Sequence, residues 1–356
     1  MRYLAILTVK NEGAFLLEWL AHHQAVGFTD FLVFSNDCSD GTDLMLDRLE
    51  ALGVLTHQGN PGPWPQGAQW AALKQADRHP LCAAADWILV CDIDEFVNIH
   101  TGARTLPALL AALPEATAIP LTWRLFGNDG VIAFDDRPIT AQFQRAAPAV
   151  MGWPWRAAQF KTLFRNDGTY RKLGVHRPRN PAPDGLTRQR WFDGSGRELS
   201  ASYHEGGIFS AYGQDNYGLV QMNHYALGAM ESYVLKCDRG RANRDAAVFD
   251  MSYWVERNFC TDEDRSILTL APERHKKHAA LMNDTALARL HAASVRWRHE
   301  RFATLMLEEP FRALLGRLLL APPSQPLSAK RAQRMAALGR QAAKARLETM
   351  ARNAPD

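Results

Sequence analysis

Short apolar runs and helical patterns alternate over the first hundred residues. Tyr3–Val9 is the first apolar run and ends at Lys10-Asn11-Glu12-Gly13. A helical pattern follows, with Phe15, Leu16, Trp19, Leu20 and His23 on one face. Residues 31–34 predict a second strand. After it, Ser39 or Asp40 is placed to N-cap a helix carrying Leu44, Met45, Leu49 and Leu52, with Gly53 closing it. Residues 54–57 predict a third, brief strand, and Gly59-Asn60-Pro61-Gly62-Pro63-Trp64-Pro65 a loop. Residues 66–76 are helical in pattern, and Trp87-Ile88-Leu89-Val90-Cys91 reads as a strand buried on both faces. This alternation predicts a doubly wound, mainly parallel α/β sheet with right-handed crossovers. In such a sheet Lys10-Asn11-Glu12, Asn36-Asp37 and Asp92-Ile93-Asp94 converge at one edge, outside the strand ends.

The pattern changes further along. Residues 118–126 predict a strand broken by Pro120 and ending at Gly127-Asn128-Asp129-Gly130. Residues 159–165 alternate as a strand, and Asn166-Asp167-Gly168 signals a hairpin. Residues 176–216, rich in Pro, Gly, Arg and His, read as loops lining a site or an edge. Residues 220–227 predict a strand containing Asn223-His224-Tyr225. From Gly228 the pattern is helical, with stops near Pro272, Pro310 and Pro322-Pro323.

Composition narrows the class. The chain has 356 residues, 47% hydrophobic and 22% charged, as in ordinary globular proteins. A net charge of +3 gives no argument for nucleic-acid binding. Five scattered cysteines make neither a disulfide framework nor a Cys-x-x-Cys metal site, which points to a reducing compartment. No signal-peptide core and no apolar run of spanning length is evident, so a cytoplasmic protein is expected.

The chemistry centres on Asp92-Ile93-Asp94-Glu95-Phe96. If the strand continues through it, Asp92 and Asp94 share one face at a ligand-binding strand end. Two ionised carboxylates repel there unless a cation intervenes. Mg²⁺ or Mn²⁺ suits oxygen donors and would also hold substrate phosphates. The plain alternative is an acidic loop after a core strand.

Lys10-Asn11-Glu12, Glu18-Trp19-Leu20, His22-His23, Asn36-Asp37-Cys38-Ser39-Asp40-Gly41-Thr42 and Asp92-Ile93-Asp94-Glu95-Phe96 resemble, in this order, glycosyltransferases with the GT-A fold. The resemblance is to family 2-like proteins related to family 92. It continues through residues 123–130, 161–165, Gly174-Val175-His176, Asn223-His224-Tyr225 and 233–240, and so covers about residues 1–241. It implies a hexosyltransferase-type enzyme moving a sugar from a nucleotide sugar, UDP-linked, to a glycan or lipid-linked acceptor, with Mn²⁺ or Mg²⁺. The expected fold is a GT-A-type doubly wound, mainly parallel sheet with an acceptor-side α+β region and a helical C-terminal extension. Residues 1–127 would hold the nucleotide sugar, 128–241 the acceptor, and 242–356 the extension. Two departures, Asp129 after Phe126-Gly127-Asn128 and Ala226-Leu227-Gly228-Ala229 after His224-Tyr225, fall in the acceptor half. A nucleotidyltransferase is the alternative on the same fold, disfavoured because no Gly-rich phosphate loop follows the first strand. A non-catalytic nucleotide- or glycan-binding protein is another.

The resemblance implies roles residue by residue. Asp92 would face ribose or metal, and Asp94 the metal. His224 is the candidate third ligand, with His176 a spare. Asn11 and Glu12 would contact the nucleoside, or form a solvated helix start. Asp37 would accept from a uracil N–H, or make an Asx turn. Gln66 and Gln69 would lie near the nucleotide sugar, or on a surface helix. An inverting enzyme needs a general base near the acceptor; Asp129 is chosen over Glu205 and Asp215. Trp153 and Trp155 are candidates for sugar stacking, whereas Trp19 and Trp87 belong to core patterns. Residues 329–352 carry Lys330, Arg331, Arg334, Arg340, Lys344, Arg346 and Arg352 against Glu348 alone. They form either an exposed basic helix or a contact with anionic membrane.

Overall fold

The computed structural model describes residues 1–240 and 250–352. The expected alternation opens it: β1 (Tyr3–Val9), α1 (Gly13–Val26), β2 (Asp30–Ser35), α2 (Thr42–Ala51), β3 (Thr56–Gly59), α3 (Ala68–Ala76), a short α4 (Pro80–Ala84) and β4 (Trp87–Val90). β3, β2, β1 and β4 lie side by side, all parallel. Both faces of this part are covered, because alternate residues of one strand enter different cores. Tyr3, Ala5, Leu7 and Val9 pack with Trp19 and Leu89, while Leu4 and Ile6 pack with Phe34, Ile88 and Val90.

β3 begins two residues later than the pattern suggests, and the helix cap explains why. Gly53 N–H donates to Glu50 O and Val54 N–H to Leu49 O, with Gly53 at φ +69°. That is the paired bonding of a left-handed C-terminal cap, so Val54 belongs to the end of α2.

Next come β5 (Glu95–Ile99), α5 (Leu106–Ala112), β6 (Ala118–Leu125), α6 (Ile139–Gln142), β7 (Arg145–Ala146), β8 (Phe160–Arg165), β9 (Tyr170–Lys172), β10 (Arg179–Pro181), α7 (Pro183–Leu186), α8 (Ser202–Glu205), β11 (Val220–His224) and α9 (Met230–Arg239). Among the described residues the main sheet has the order β3-β2-β1-β4-β8-β6-β11-β5. β8 and β5 run against the rest, so the sheet is mainly parallel as expected.

Two expectations fail here. Pro120 does not break β6. Thr117 O and Trp123 N–H bond toward β8, so odd-numbered residues face that strand and Pro120 turns its missing N–H away. On that other side β11 pairs only from Trp123 onward, so no ladder bond is lost. The Asn166-Asp167-Gly168 turn does not make a hairpin either. β8 already has β4 and β6 on its two edges, and β9 pairs with β10 instead.

The C-terminal part contains α10 (Met251–Val255), β12 (Asp262–Glu263), α11 (Ala271–Met282), α12 (Thr285–Leu305), α13 (Glu309–Leu320) and α14 (Ala329–Arg352). β12 pairs with β7. Pro272 and Pro310 start helices rather than stop them, each at the second residue of its helix. The first turn has no partner for their missing N–H in any case. A third core joins Met230, Tyr233 and Val234 of α9 to Trp254, Leu305, Leu314 and Leu318. The extension also docks on the sheet half: Arg48 pairs with Asp284 at 2.6 Å, and a Cβ on Gly13 would lie 2.3 Å from Ser294 Oγ. The expected boundary at 241/242 and residues 353–356 of the tail fall outside the described residues. Among the described residues, no helix is long and apolar enough to cross a membrane.

Candidate active site

The strand ends do converge. Asn36 N–H and Nδ2 both donate to Val9 O, and Asn11 Oδ1 accepts from Ser39 N–H at 2.7 Å. Glu12 N–H donates to Thr42 Oγ1 at 2.9 Å. Asp40 accepts from Thr42 N–H, Gly13 N–H and Ser294 Oγ, tying the starts of α1 and α2 to α12. A cleft opens beside these segments, lined in part by Asn11, Glu12, Ile93 and Asp94.

Asp92 and Asp94 do not share a strand face. β4 ends at Val90, and Asp92 to Glu95 is a turn closed by Glu95 N–H to Asp92 O at 3.1 Å. The buried Glu95 carboxylate folds back to accept from Asp92 N–H at 2.8 Å and from Trp123 Nε1 at 2.7 Å. The Trp19 indole donates to the carbonyls of Asp92 and Glu95 at 3.2 and 3.1 Å. A strand would have left these groups to a ladder; the turn satisfies them with side chains and gives the two carboxylates different partners.

Each aspartate has its own lysine. Lys161 Nζ, fully buried in β8, lies 3.0 Å from Asp92 Oδ2 and 3.3 Å from Glu95 Oε2. Gln69 Nε2 holds Asp92 Oδ1 at 2.8 Å. Lys236 Nζ of α9 donates to Asp94 Oδ2 at 2.7 Å and to Ala226 O at 2.7 Å. Burial alone would raise the Asp94 pKa, but Lys236 and His224 together push it well below the usual carboxylate range. Burial pushes Glu95 up, against the pull of Lys161. Lys161 is held above its ordinary value, its desolvation outweighed by Asp92 and Glu95.

His224 reaches the site. Its Nε2 stands 3.8 Å from Asp94 Oδ1, and its ring lies 4.2 Å from that of Trp123. Burial lowers its pKa to about 3, so the imidazole is neutral. The His176 ring also lies near Trp123, at 5.7 Å. Its Nδ1 is tied to Phe160 O at 3.0 Å, which anchors the ring within its loop.

Among the described residues no group of three or more His, Cys, Asp or Glu side chains is gathered around one point. The donor set that could hold a metal is smaller: Asp94 Oδ1 and neutral His224 Nε2. An imidazole ligating through Nε2 carries its proton on Nδ1, and His224 Nδ1 is buried without an acceptor among the described residues. The set therefore suits an ion completed by a substrate's phosphates rather than one held by protein alone. Asp92, with both oxygens engaged, stands as the neighbour of that set.

Other candidates are placed as follows. Gln69 is at the site; Gln66 is exposed and accepts from Lys74 at 2.7 Å. Asp37 is exposed beside the Pro-rich loop, where a Cβ on Gly62 would lie 3.4 Å from Asp37 Oδ2. Asn11, Asp37 and Asp129 hold φ of 54°, 43° and 52°, a region Asn and Asp tolerate better than most residues. Asp129, Glu205 and Asp215 are exposed, and none lines the cleft. Trp155 is exposed at the surface with Trp153 against it, ring centres 4.9 Å apart.

Lys161, Lys236, Arg239 and Arg298 are given no role by the sequence reading. Lys161 leaves a trace there: it is a charge inside the apolar Phe160-Lys161-Thr162-Leu163-Phe164. Arg298 leaves another, lying on the buried stripe of α12 with Leu287, His291, Ser294 and Leu305.

Residues 7–191, just over half the chain, match the profile of glycosyltransferase family 92. A family 92 protein of Ricinus communis is 26% identical over 104 residues, covering 28% of this chain and 18% of the relative. One of Oryza sativa subsp. japonica is 24% identical over 146 residues, covering 39% and 24%. The aligned stretches thus span a quarter or less of these relatives' own length. Among solved structures, S. aureus TarS residues 1–349 overlay with a TM-score of 0.33 at 14% identity, covering 80% of this chain and 74% of that one. Glucosyl-3-phosphoglycerate synthase from Mycobacterium tuberculosis, in complex with Mn²⁺, UDP and glucosyl-3-phosphoglycerate, overlays at 0.27 and 16% identity, covering 47% and 58%. These scores are low, and the fold rests on its own strand order.

Proposed function

The chain belongs to glycosyltransferase family 92, and from that membership we propose that it transfers a sugar from a nucleotide sugar, UDP-linked, to a glycan or lipid-linked acceptor. The observation that carries the reading is the cleft in which Asp94, Asn11 and Glu12 meet beside His224 and Lys236. Asp94 and His224 would hold a divalent ion, Mn²⁺ or Mg²⁺, together with the donor's phosphates. When bound, the ion supplies positive charge against the negative charge that grows on the departing diphosphate.

The chain's own residues do the rest. Trp19, Glu95 and Trp123 fix the turn, so Asp94 needs no reorganisation to meet its ligand. Gln69 and Lys161 hold Asp92 where it can accept from a ribose hydroxyl. Asn11 and Glu12 would face the nucleoside, and Asp37 the base. A cytoplasmic site of action, with α14 resting on anionic lipid, accords with a lipid-linked acceptor.

A donor panel tests this: UDP-, GDP-, ADP- and CMP-sugars are incubated with Mn²⁺, with and without acceptor glycans, and nucleotide release is measured. Release of UDP from one donor is expected. Release from no donor, with pyrophosphate formed instead from a nucleoside triphosphate and a sugar 1-phosphate, would make the chain a nucleotidyltransferase. Binding without any turnover would make it a binding protein.

A further inference from the structure

Among the described residues, the charged side chains of the cleft are paired with one exception. Asp94 has Lys236, Glu12 has Arg239, and Asp238 has Arg301 of α12. Arg298, also on α12, lines the same cleft and is 4% exposed. Its guanidinium carbon lies 4.5 Å from the centre of the Phe15 ring and 4.7 Å from that of Phe134. Its Nε is buried without a hydrogen-bond partner among the described residues. Asp40 acts on it electrostatically, but the Asp40 oxygens accept from Thr42, Gly13 and Ser294. A guanidinium keeps its charge at any ordinary pH, and burying that charge unpaired is costly. Such a group is retained where an anion completes it.

We propose that Arg298 is the anion anchor of the cleft and that, with Arg239 and Lys236, it takes the diphosphate of the nucleotide donor. This deepens the nucleotide-sugar reading and rests on it. Phe15 and Phe134 pack against the guanidinium, whose planar fork can meet two phosphate oxygens at once. Arg239 reinforces the position, since it donates to Lys10 O at 3.0 Å and pairs with Glu12 at the end of β1. Three cations lining one cleft would take up charge as the sugar–phosphate bond breaks. An anionic group could also come from a phosphorylated acceptor. The donor is favoured because Asp94, Asn11 and Glu12 share the cleft with Arg298.

The test compares the full chain with Arg298→Met, which keeps a long apolar stem against Phe15 and Phe134, and with Arg298→Lys, which keeps the charge without the fork. Binding of pyrophosphate, UDP, uridine and glucose 6-phosphate is measured by calorimetry, with Mn²⁺ and with EDTA. Thermal melts confirm that each variant is folded. In Arg298→Met, UDP and pyrophosphate are expected to weaken by about tenfold or more while uridine is unchanged, with Arg298→Lys between. If the parent chain ignores UDP yet binds pyrophosphate in an Arg298-dependent way, the inference stands and the uridine reading falls. Unchanged pyrophosphate and UDP binding overturns the inference, as does an equal loss for all four probes. Loss confined to glucose 6-phosphate assigns Arg298 to the acceptor and overturns the donor assignment.

Discussion

At the scale of single residues, the site is a set of charges held in place by neighbours distant in sequence. Asp94→Asn keeps the shape of the side chain but removes the charge that faces Lys236 and His224. Transfer is expected to be abolished and Mn²⁺-dependent UDP binding weakened in a folded protein. Calorimetry giving unchanged Mn²⁺–UDP affinity would remove Asp94 from the metal set. His224→Ala should raise the Mn²⁺ concentration for half activity, and His176→Ala should not, because of the two histidines it is His224 that stands 3.8 Å from Asp94. The reverse pattern would exchange their roles. Asp92 and Asp94 are legible in the sequence because an apolar run ending in acids is a local pattern. Their lysines are not, because Lys161 and Lys236 reach them only through the packing of β8 beside β4 and of α9 over the turn. The Asp92–Asp94 geometry is misread for a related reason: strand alternation is a valid rule only while the strand lasts, and β4 ends at Val90, before either aspartate.

At the scale of elements, α1 shows how much polarity a core helix can carry. Glu18, Trp19, His22 and His23 are all buried. Glu18 accepts from Ile139 N–H at 2.7 Å and from Thr140 Oγ1 at 2.6 Å, and lies 3.5 Å from Arg274, so it joins α6 and α11 to α1. His22 Nε2 bonds Val97 O at 2.8 Å and His23 Nδ1 bonds Trp19 O at 2.9 Å. Burial lowers His22 well below its ordinary value and His23 to about 4. In the unfolded chain these imidazoles take up protons near their ordinary pKa; in the folded chain they do not until much lower pH. The unfolded state therefore binds more protons in that window, and stability falls as pH falls. For His23 alone, going from about pH 8 to about pH 5 should cost about 2 kcal/mol in urea melts, and His23→Leu should lose that part of the slope. An identical pH slope in His23→Leu would show that His23 does not titrate on unfolding. The apolar face of α1, and β1, β2 and β4, are readable because their periodicity is local. β5 is not, because its five residues follow the acidic turn directly and are fixed by pairing with β11 from far along the chain.

At the scale of the whole molecule, the C-terminal helices do two different things. α11, α12 and α13 pack on α1, α2 and α9, and through Arg298 and Ser294 reach the cleft and the strand ends. A division drawn from sequence pattern alone separates them from the site, since helical periodicity says which face is buried but not against what. α14 differs. Ala332 is buried against Gly152, where an added Cβ would come within 2.8 Å, but Lys330, Arg331, Arg334, Arg340 and Arg346 are exposed, as is Leu338 at 51%. Just before it, α13 ends with Leu319 and Leu320 exposed at 52% and 85%. Exposed leucines beside a row of cations match an interface between acyl chains and anionic headgroups, and each cation near such a surface contributes about 1 kcal/mol. Deleting residues 329–356 should therefore reduce sedimentation with phosphatidylglycerol-containing vesicles at low salt. The remaining binding should be insensitive to added salt, because screening acts on the charges that the deletion removes. UDP-sugar hydrolysis should stay unaltered, since no described side chain of α14 lines the cleft. Equal sedimentation of the full and shortened chains would leave α14 a solvated basic helix, and a loss of hydrolysis on deletion would give it a part in the fold that its exposure does not suggest.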